Sequence, residues 1–367
     1  MGLYIEGAPQ NQTQPRCREM NASNLPKTRY RIAASGHDPE RHSDRTAQSK
    51  SLSIVVRKYY IPGANRSDFG RIFDRLFRKP LSKVPETVLI ETIAACNAAC
   101  VFCPLGDKET AGQVPKGRMT DELFEKIIGE LAANPPKQII PCFTNEPFLD
   151  VRLLAWLKLI RERIASAKIT VITNGSLLTE KVCREMLEAG VPDLIDISFQ
   201  GMDRAAYEQT MVRLDFDETR DRIVRFIEMQ KEMGTSSPKI RINMVRTALI
   251  NPSIDHARRF WKQLDVSVSV APMENRGGTV VSEGLAEGMR PFWECRRPFN
   301  TLVIAFDGTV PLCCVDFTRK TVVGNVKDSS IYDVWNGERM MAIRRAFLST
   351  DSRADFPQMC KDCKRAE

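Results

Sequence analysis

The sequence predicts an α/β fold, a partial (β/α)6 barrel followed by a small C-terminal cysteine-rich β-hairpin/helix domain. Three observations carry this. From residue 86, six short apolar runs of strand character alternate with longer runs of helical period. Such alternation implies parallel pairing through right-handed crossovers. It ends near residue 273, too early for a closed eight-stranded barrel of about 250 residues. Finally, cysteines gather in two places, around residue 100 and after residue 290.

The strand runs are TVLIETIA, QIIPCF, KITVIT, DLIDISFQ, KIRINMVR and VSVSVAPM. Between them, helical period covers 120–133, 150–165, 179–189, 203–231 and 253–264. Thr120, Asp121 and Glu122 open the first helix with a capping hydroxyl and acids suited to its positive end. In such folds ligands gather at the carboxyl ends of the strands. After residue 290, TLVIAFDGTVPLCC reads as a hairpin turning at Asp307-Gly308. SSIYDVWNGERMMAIRRAFL reads as a helix, and MCKDCKRAE closes the chain.

Residues 1–50 are polar and lack an apolar period, so they are expected to be mostly disordered. SLSIVVRKYY is a candidate short strand. Phe69, Ile72, Phe73, Leu76 and Phe77 then recur at helical spacing among Arg71, Arg75, Arg78 and Lys79. This is a basic amphipathic helix whose apolar face is expected to pack on the main domain. The organisation is thus a basic leader (1–85), an α/β core (86–290) and a C-terminal domain (291–367).

The net charge of +8 is uneven: residues 1–85 hold 16 Lys/Arg against 7 Asp/Glu, so the remainder is close to neutral. A nucleic-acid-binding domain would need a basic face on its folded part, and none is expected. No apolar run reaches the length of a membrane span, and MGLYIEGAPQ lacks a signal core. A cytoplasmic protein is expected. Of only three histidines, His37 and His42 fall in the leader and His256 in the body. A histidine-based triad or metal site is disfavoured there, and the eleven cysteines point to thiolate chemistry.

In ETIAACNAACVFCP, Cys96, Cys100 and Cys103 have the spacing C-x3-C-x2-C directly after the first strand. Asn97, Ala98 and Ala99 are small enough for a tight loop. A cubane iron–sulfur cluster usually takes four thiolates. Three leave one iron open, as a catalytic metal requires. A zinc knuckle lacking one ligand is the plain alternative. The motif resembles that of the radical S-adenosylmethionine enzymes, C-x3-C-x-aromatic-C, with Phe102 at the aromatic position. The resemblance implies a 4Fe-4S cluster whose open iron chelates the amino and carboxylate groups of S-adenosyl-L-methionine. It implies a one-electron reductant such as flavodoxin or ferredoxin, and cleavage to a 5′-deoxyadenosyl radical that abstracts hydrogen from the substrate.

Later strand ends extend the resemblance. CFTNEPFLD carries Thr144 and Asn145 where the family usually has two glycines, then Glu146 and Pro147 as in the family. Glu146 is implied to accept from the cofactor's ammonium group. ITNGSLLT supplies Asn174. In ISFQG, Ser198 and Gln200 point the same way by strand alternation. Their counterparts contact the cofactor's ribose or carboxylate. Arg213 stands near where some relatives place an arginine against that carboxylate.

Cys295, Cys313, Cys314, Cys360 and Cys363 form the second group. The frame C-x12-G-x4-C runs from Cys295 through Gly308 to Cys313, and Cys360-x2-Cys363 adds a pair. Four thiolates suit a second cubane or a zinc ion, and ligand chemistry alone leaves both open. CRRPF, DGTVPLCC, GNV, SSIYDVWNGE and the final C-x2-C resemble the SPASM/twitch extension of radical S-adenosylmethionine enzymes. That resemblance implies a second 4Fe-4S cluster on Cys295, Cys313, Cys360 and Cys363, with Cys314 spare. Twitch-bearing relatives include dehydrogenases that oxidise a secondary alcohol of a sugar or cyclitol, with a base taking the hydroxyl proton and the second cluster the electron. Arg246 after the fifth strand, and Glu274 and Arg276 after the sixth, are the candidate catalytic residues, although strand-end charges bind as often as they catalyse. An epimerase with Cys142, Cys183 or Cys314 as hydrogen donor, a ribosomal-peptide-modifying enzyme and a non-catalytic metal-binding scaffold are the alternatives. The leader has too little apolar content for a peptide-recognition domain, which favours a small polar substrate.

Overall fold

The computed structural model describes residues 82–366 except 282–283, 294 and 349–352. The expected leader disorder, the SLSIVVRKYY strand and the amphipathic helix lie outside the described residues. β1 (Thr87–Ile90), β2 (Gln138–Ile140), β3 (Lys168–Thr173), β4 (Leu194–Ser198), β5 (Lys239–Arg246) and β6 (Ser267–Pro272) fall on the six expected runs. All pair in parallel with their sequence neighbours. Helices Asp121–Ala133 and Leu153–Arg163 cover β1–β3 with Phe124, Ile127, Trp156 and Leu157. Helices Glu180–Ala189, Phe216–Glu232 and Ile254–Gln263 cover β4–β6 through Met186, Ile223, Phe226 and Trp261. Burial on both faces of β1, β3 and β4 explains their near-continuous apolar runs, whereas β5 and β6 are more open.

Three expectations are corrected. The run 203–231 is two helices, Arg204–Thr210 and Phe216–Glu232. The break has a use: the carbonyls of Thr210 and Val212 accept from Val101 N and Ala99 N in the cysteine loop. The run after Ser329 is also two helices, Ile331–Asn336 and Glu338–Leu348. Gly337 between them is extended, and a Cβ there would lie 2.8 Å from the Asp333 carbonyl oxygen. Lastly, TLVIAFDGTVPLCC does not pair with itself as a full hairpin. Its first half, β7 (Thr301–Ile304), joins the free edge of β1 in parallel and makes a seven-stranded sheet. Its second half, β8 (Thr309–Pro311), pairs antiparallel with β9 (Val322–Asn325). The Asp307-Gly308 turn is present, with Thr309 N donating to Asp307 Oδ1 at 3.1 Å and Gly308 at φ +82°. The unpaired edge of a buried strand offers an apolar segment a whole ladder, which outweighs the local turn.

The C-terminal segment is tied to the core at two further points. Asn275, just past β6, donates from Nδ2 to Asp362 O at 2.9 Å and accepts from Lys364 N at 2.7 Å. At the end of β1, the fully buried Glu91 pairs with Arg319 at 3.1 Å, and Arg319 reaches Asp307 at 2.8 Å. Glu91 also accepts from Thr144 N and Phe306 N. Removing one partner leaves the other charge buried. Arg319→Met is therefore expected to lower stability by about 3–5 kcal/mol in urea titrations. A loss below about 1 kcal/mol would show that solvent reaches the pair.

Candidate functional site

The first three thiols sit on a loop at the carboxyl end of β1. Cys103 N donates to Cys100 O at 3.0 Å, and Gly106 N to Cys103 O at 2.9 Å. A Cβ on Gly106 would overlap the Cys100 carbonyl oxygen, so the turn requires glycine. Gly106→Ala is thus expected to reduce iron retained in the reconstituted protein, with the thiols still present, as iron analysis would register. Phe102 is buried with Ala98 in the core beneath, anchoring the loop, and Cys100 Sγ lies 3.4 Å from Met211 Sδ. Burial raises all three thiol pKa values, Cys96 to about 12. Mutual repulsion adds to the rise at Cys96 and Cys100, while Arg276 offsets it at Cys103. Thiols raised in this way become ligands only as metal displaces their protons. Zinc needs its sulfurs converging at about 2.3 Å from one point. Among the described residues no three Cys, His, Asp or Glu side chains converge in that way.

The residues expected to face the cofactor ring this loop. Glu146 is buried at the end of β2. Its Oε1 accepts from Thr173 Oγ1 at 2.7 Å and Phe148 N at 3.2 Å, and its Oε2 from Asn174 N at 2.7 Å. Burial pushes its pKa up to about 7 against these bonds. One lone pair of Oε2 stays open. Asn145 Oδ1 accepts from Phe143 N at 2.8 Å, whereas its Nδ2 is buried and has no partner. An orphaned donor beside an underused carboxylate fits a ligand bearing both amino and carboxylate groups. Asn174 Nδ2 donates to Asn97 Oδ1, Asn97 Nδ2 to Ser176 Oγ, and Ser176 Oγ back to Asn174 Oδ1, at 2.8, 2.8 and 2.6 Å. This closed ring holds the cysteine loop against β3. Sequence reasoning missed Thr173 and Ser176 and saw Asn97 only as small, because hydrogen-bond partners 77 positions apart leave no local signal. Gln200 is buried and latches β4 to β5, accepting from Val245 N at 2.8 Å and donating to Asn243 O at 3.3 Å. Ser198 is half-exposed at the end of β4. Arg213 is exposed at φ +77°, a left-handed conformation that a non-glycine residue holds at a cost, often at a functional site. It lines a cavity of about 560 Å³ together with Cys96, Thr144, Lys108 and Lys116.

The second thiol group lies beyond the end of β6. Cys295 feels the charges of Cys363 and Cys314, and Cys360 those of Cys295 and Cys363. Cys313 is buried among Val310, Leu312 and Val323, and its thiol bonds that of Cys314. That bond, with Arg297 and Arg276 adding, favours the thiolate at Cys314. Cys314 thus stands within the group together with Cys313. Glu274 accepts from Arg297 Nη2 through both oxygens, at 2.9 and 2.8 Å. Arg276 pairs with no carboxylate among the described residues. It is felt by Cys103 of the first group and by Cys314 and Cys363 of the second. Arg276, just past β6, is therefore within electrostatic reach of both thiol groups. Arg246 is exposed at the end of β5, and half-buried Cys142 feels both Cys96 and Cys314. Cys183 is buried in a helix core.

A parallel sheet with three grouped thiols at the end of β1 and a second thiol group on a C-terminal extension defines an iron–sulfur enzyme. Residues 90–248 match the Radical SAM superfamily, and residues 295–364 match the SPASM iron–sulfur cluster-binding domain. The chain thus carries a Radical SAM domain followed by a SPASM iron–sulfur domain, and it is a radical S-adenosylmethionine enzyme with an iron–sulfur cluster in each matched part. It is similar to the S-adenosyl-L-methionine-dependent 2-deoxy-scyllo-inosamine dehydrogenase of Niallia circulans, 22% identical over 287 residues, covering 77% of this chain and 94% of the relative. It is also similar to the tungsten-containing aldehyde ferredoxin oxidoreductase cofactor-modifying protein of Pyrococcus furiosus, 24% identical over 318 residues, covering 75% and 86%. The fold resembles that of Streptococcus suis SuiB bound to precursor peptide SuiA, with a TM-score of 0.60 at 16% identity over 90% of this chain and 78% of that one. It also resembles BtrN in complex with AdoMet and 2-DOIA, with a TM-score of 0.51 at 20% identity over 76% and 93%. Among the described residues no helix is long and apolar enough to cross a membrane.

Proposed function

We propose that the chain oxidises a secondary alcohol of a small polyol, a sugar or cyclitol, to the ketone. The observation that carries this is that Arg276 acts on thiols of both groups, while Glu274 lies beside the second group, held by Arg297. Similarity to a cyclitol dehydrogenase over nearly its whole length supports it. When bound, S-adenosylmethionine and the 4Fe-4S clusters on Cys96, Cys100 and Cys103 and on Cys295, Cys313, Cys360 and Cys363 supply hydrogen-atom abstraction and an acceptor for the remaining electron.

The chain's own residues hold and position. The open lone pair of Glu146 receives an ammonium group, Asn145 Nδ2 and Arg213 hold a carboxylate, and Asn174 and Gln200 stiffen the surrounding strand ends, with Ser198 open to the cofactor. Glu274, fixed by both bonds from Arg297, holds the hydroxyl proton of the substrate, while Arg246 and Arg276 bind neighbouring hydroxyls. Glu146 accepts a charge-assisted bond only as the carboxylate, and its pKa stands near 7. S-adenosylmethionine affinity is therefore expected to weaken as pH falls below about 7, by up to about tenfold per unit. Glu146→Gln should flatten that dependence, which binding titrations between pH 5.5 and 8 would reveal. For the reaction, polyols deuterated at the carbinol carbon are offered to the reduced enzyme. Label in 5′-deoxyadenosine together with ketone supports oxidation. Replacement of that label by solvent hydrogen at the reacting carbon, without ketone, would favour an epimerase with a thiol donor such as Cys142.

A further inference from the structure

The cavity beside Cys96 has a one-sided charge that oxidation of a neutral polyol does not explain. Its volume of about 560 Å³ is ordinary for a small-ligand site. Lys108, Lys116 and Arg213 line it, and no Asp or Glu does. Neither lysine pairs with a carboxylate among the described residues. The acids of the same segment are turned elsewhere: Asp107 accepts from Thr110 N at 2.7 Å as the cap of helix Lys108–Gln113, and the exposed Glu109 is outside the cavity wall. The backbone beside Arg213 is held, because the neighbouring Val212 carbonyl accepts from Ala99 N at 2.9 Å, and the Arg213 side chain itself is exposed. Alanines and glycines form much of the remaining wall, including Ala94, Ala95, Ala111 and Gly112, and leave room for a bulky group.

We propose that this cavity binds a phosphoryl group, and that the polyol oxidised is a phosphorylated sugar or cyclitol. The substrate class rests on the oxidation reading above. Clustered cations beside a low-dielectric wall attract a dianion and repel a protonated amine, so an aminocyclitol is disfavoured here. Arg213 is assigned to the cofactor carboxylate, which leaves Lys108 and Lys116 as point-charge donors to phosphate oxygens.

The test is calorimetric titration of the reconstituted, S-adenosylmethionine-loaded protein at constant ionic strength. The probes are myo-inositol 1-phosphate, UDP-glucose, myo-inositol and glucosamine. At least one phosphorylated probe is expected to bind about tenfold or more tighter than myo-inositol and glucosamine. Preference between the first two distinguishes a monophosphate from a nucleoside-diphosphate sugar. Lys108→Gln and Lys116→Gln should each weaken that binding about five- to tenfold, and the double variant about fiftyfold. The Lys108→Arg/Lys116→Arg variant keeps both charges and should bind nearly as the native protein does, which covers the case in which glutamine disturbs the fold. Equal binding of the neutral or cationic probe, no binding of either phosphorylated probe, or unchanged binding in a folded double glutamine variant overturns the proposal. Phosphate binding without alcohol oxidation contradicts only the oxidation reading. Oxidation of an unphosphorylated polyol without phosphate binding contradicts only this one.

Discussion

Replacing Cys96, Cys100 and Cys103 together with alanine is expected to bring cofactor cleavage to background. Bound iron should fall from about eight to about four per chain after anaerobic reconstitution. The effect is this large because no other group among the described residues can take over. The loop is shaped for this role by Gly106, by the Ala99 and Val101 bonds to residues 210–212, and by the Asn97–Asn174–Ser176 ring. None of those supports needs the thiol sulfurs, so the triple variant should keep its fold. Unchanged iron content in the folded variant would place the cluster elsewhere.

The second large effect separates electron transfer from scaffolding. Replacing Cys360 and Cys363 with alanine is expected to spare formation of 5′-deoxyadenosine, at least in part, while ketone falls by about two orders of magnitude or more. The first thiol group is untouched, but the substrate has lost its electron acceptor. The same change also removes folding energy, because metal binding and folding are linked. The surrounding core softens that loss. Met359 packs on Gly277, Phe347 stacks on Phe356 at 4.2 Å, and Asn275 holds the chain's end by backbone bonds. Circular dichroism decides whether the variant is folded. If a folded variant makes ketone in step with cofactor cleavage, the second cluster is structural.

The sequence made the frame of this site legible, because its signals are local. Six short apolar runs alternating with helical ones, and the C-x3-C-x2-C spacing after the first of them, revealed the α/β class and the first thiol loop before any contact was known. KITVIT and KIRINMVR match β3 and β5 residue for residue. What stayed hidden is long-range. TLVI reads as half of a hairpin because Asp307-Gly308 is a strong turn, yet the edge of β1, more than 200 residues earlier, claims it. The resemblance implies a cofactor contact for Gln200, and spacing gave no sign that both ends of its amide also bond the β5 backbone. The bridge from Glu91 to Arg319 spans 228 positions and could not be paired from spacing. The charge of the cavity beside Cys96 appears only when Lys108, Lys116 and Arg213 are brought together in space.

The most direct measurement is anaerobic incubation of the reconstituted protein with dithionite and S-adenosylmethionine, with products separated by chromatography. The account predicts 5′-deoxyadenosine and methionine in equal amounts from the native protein, and neither above background from the Cys96, Cys100 and Cys103 triple alanine variant. A native protein that carries its iron, accepts electrons and still leaves S-adenosylmethionine intact would contradict it.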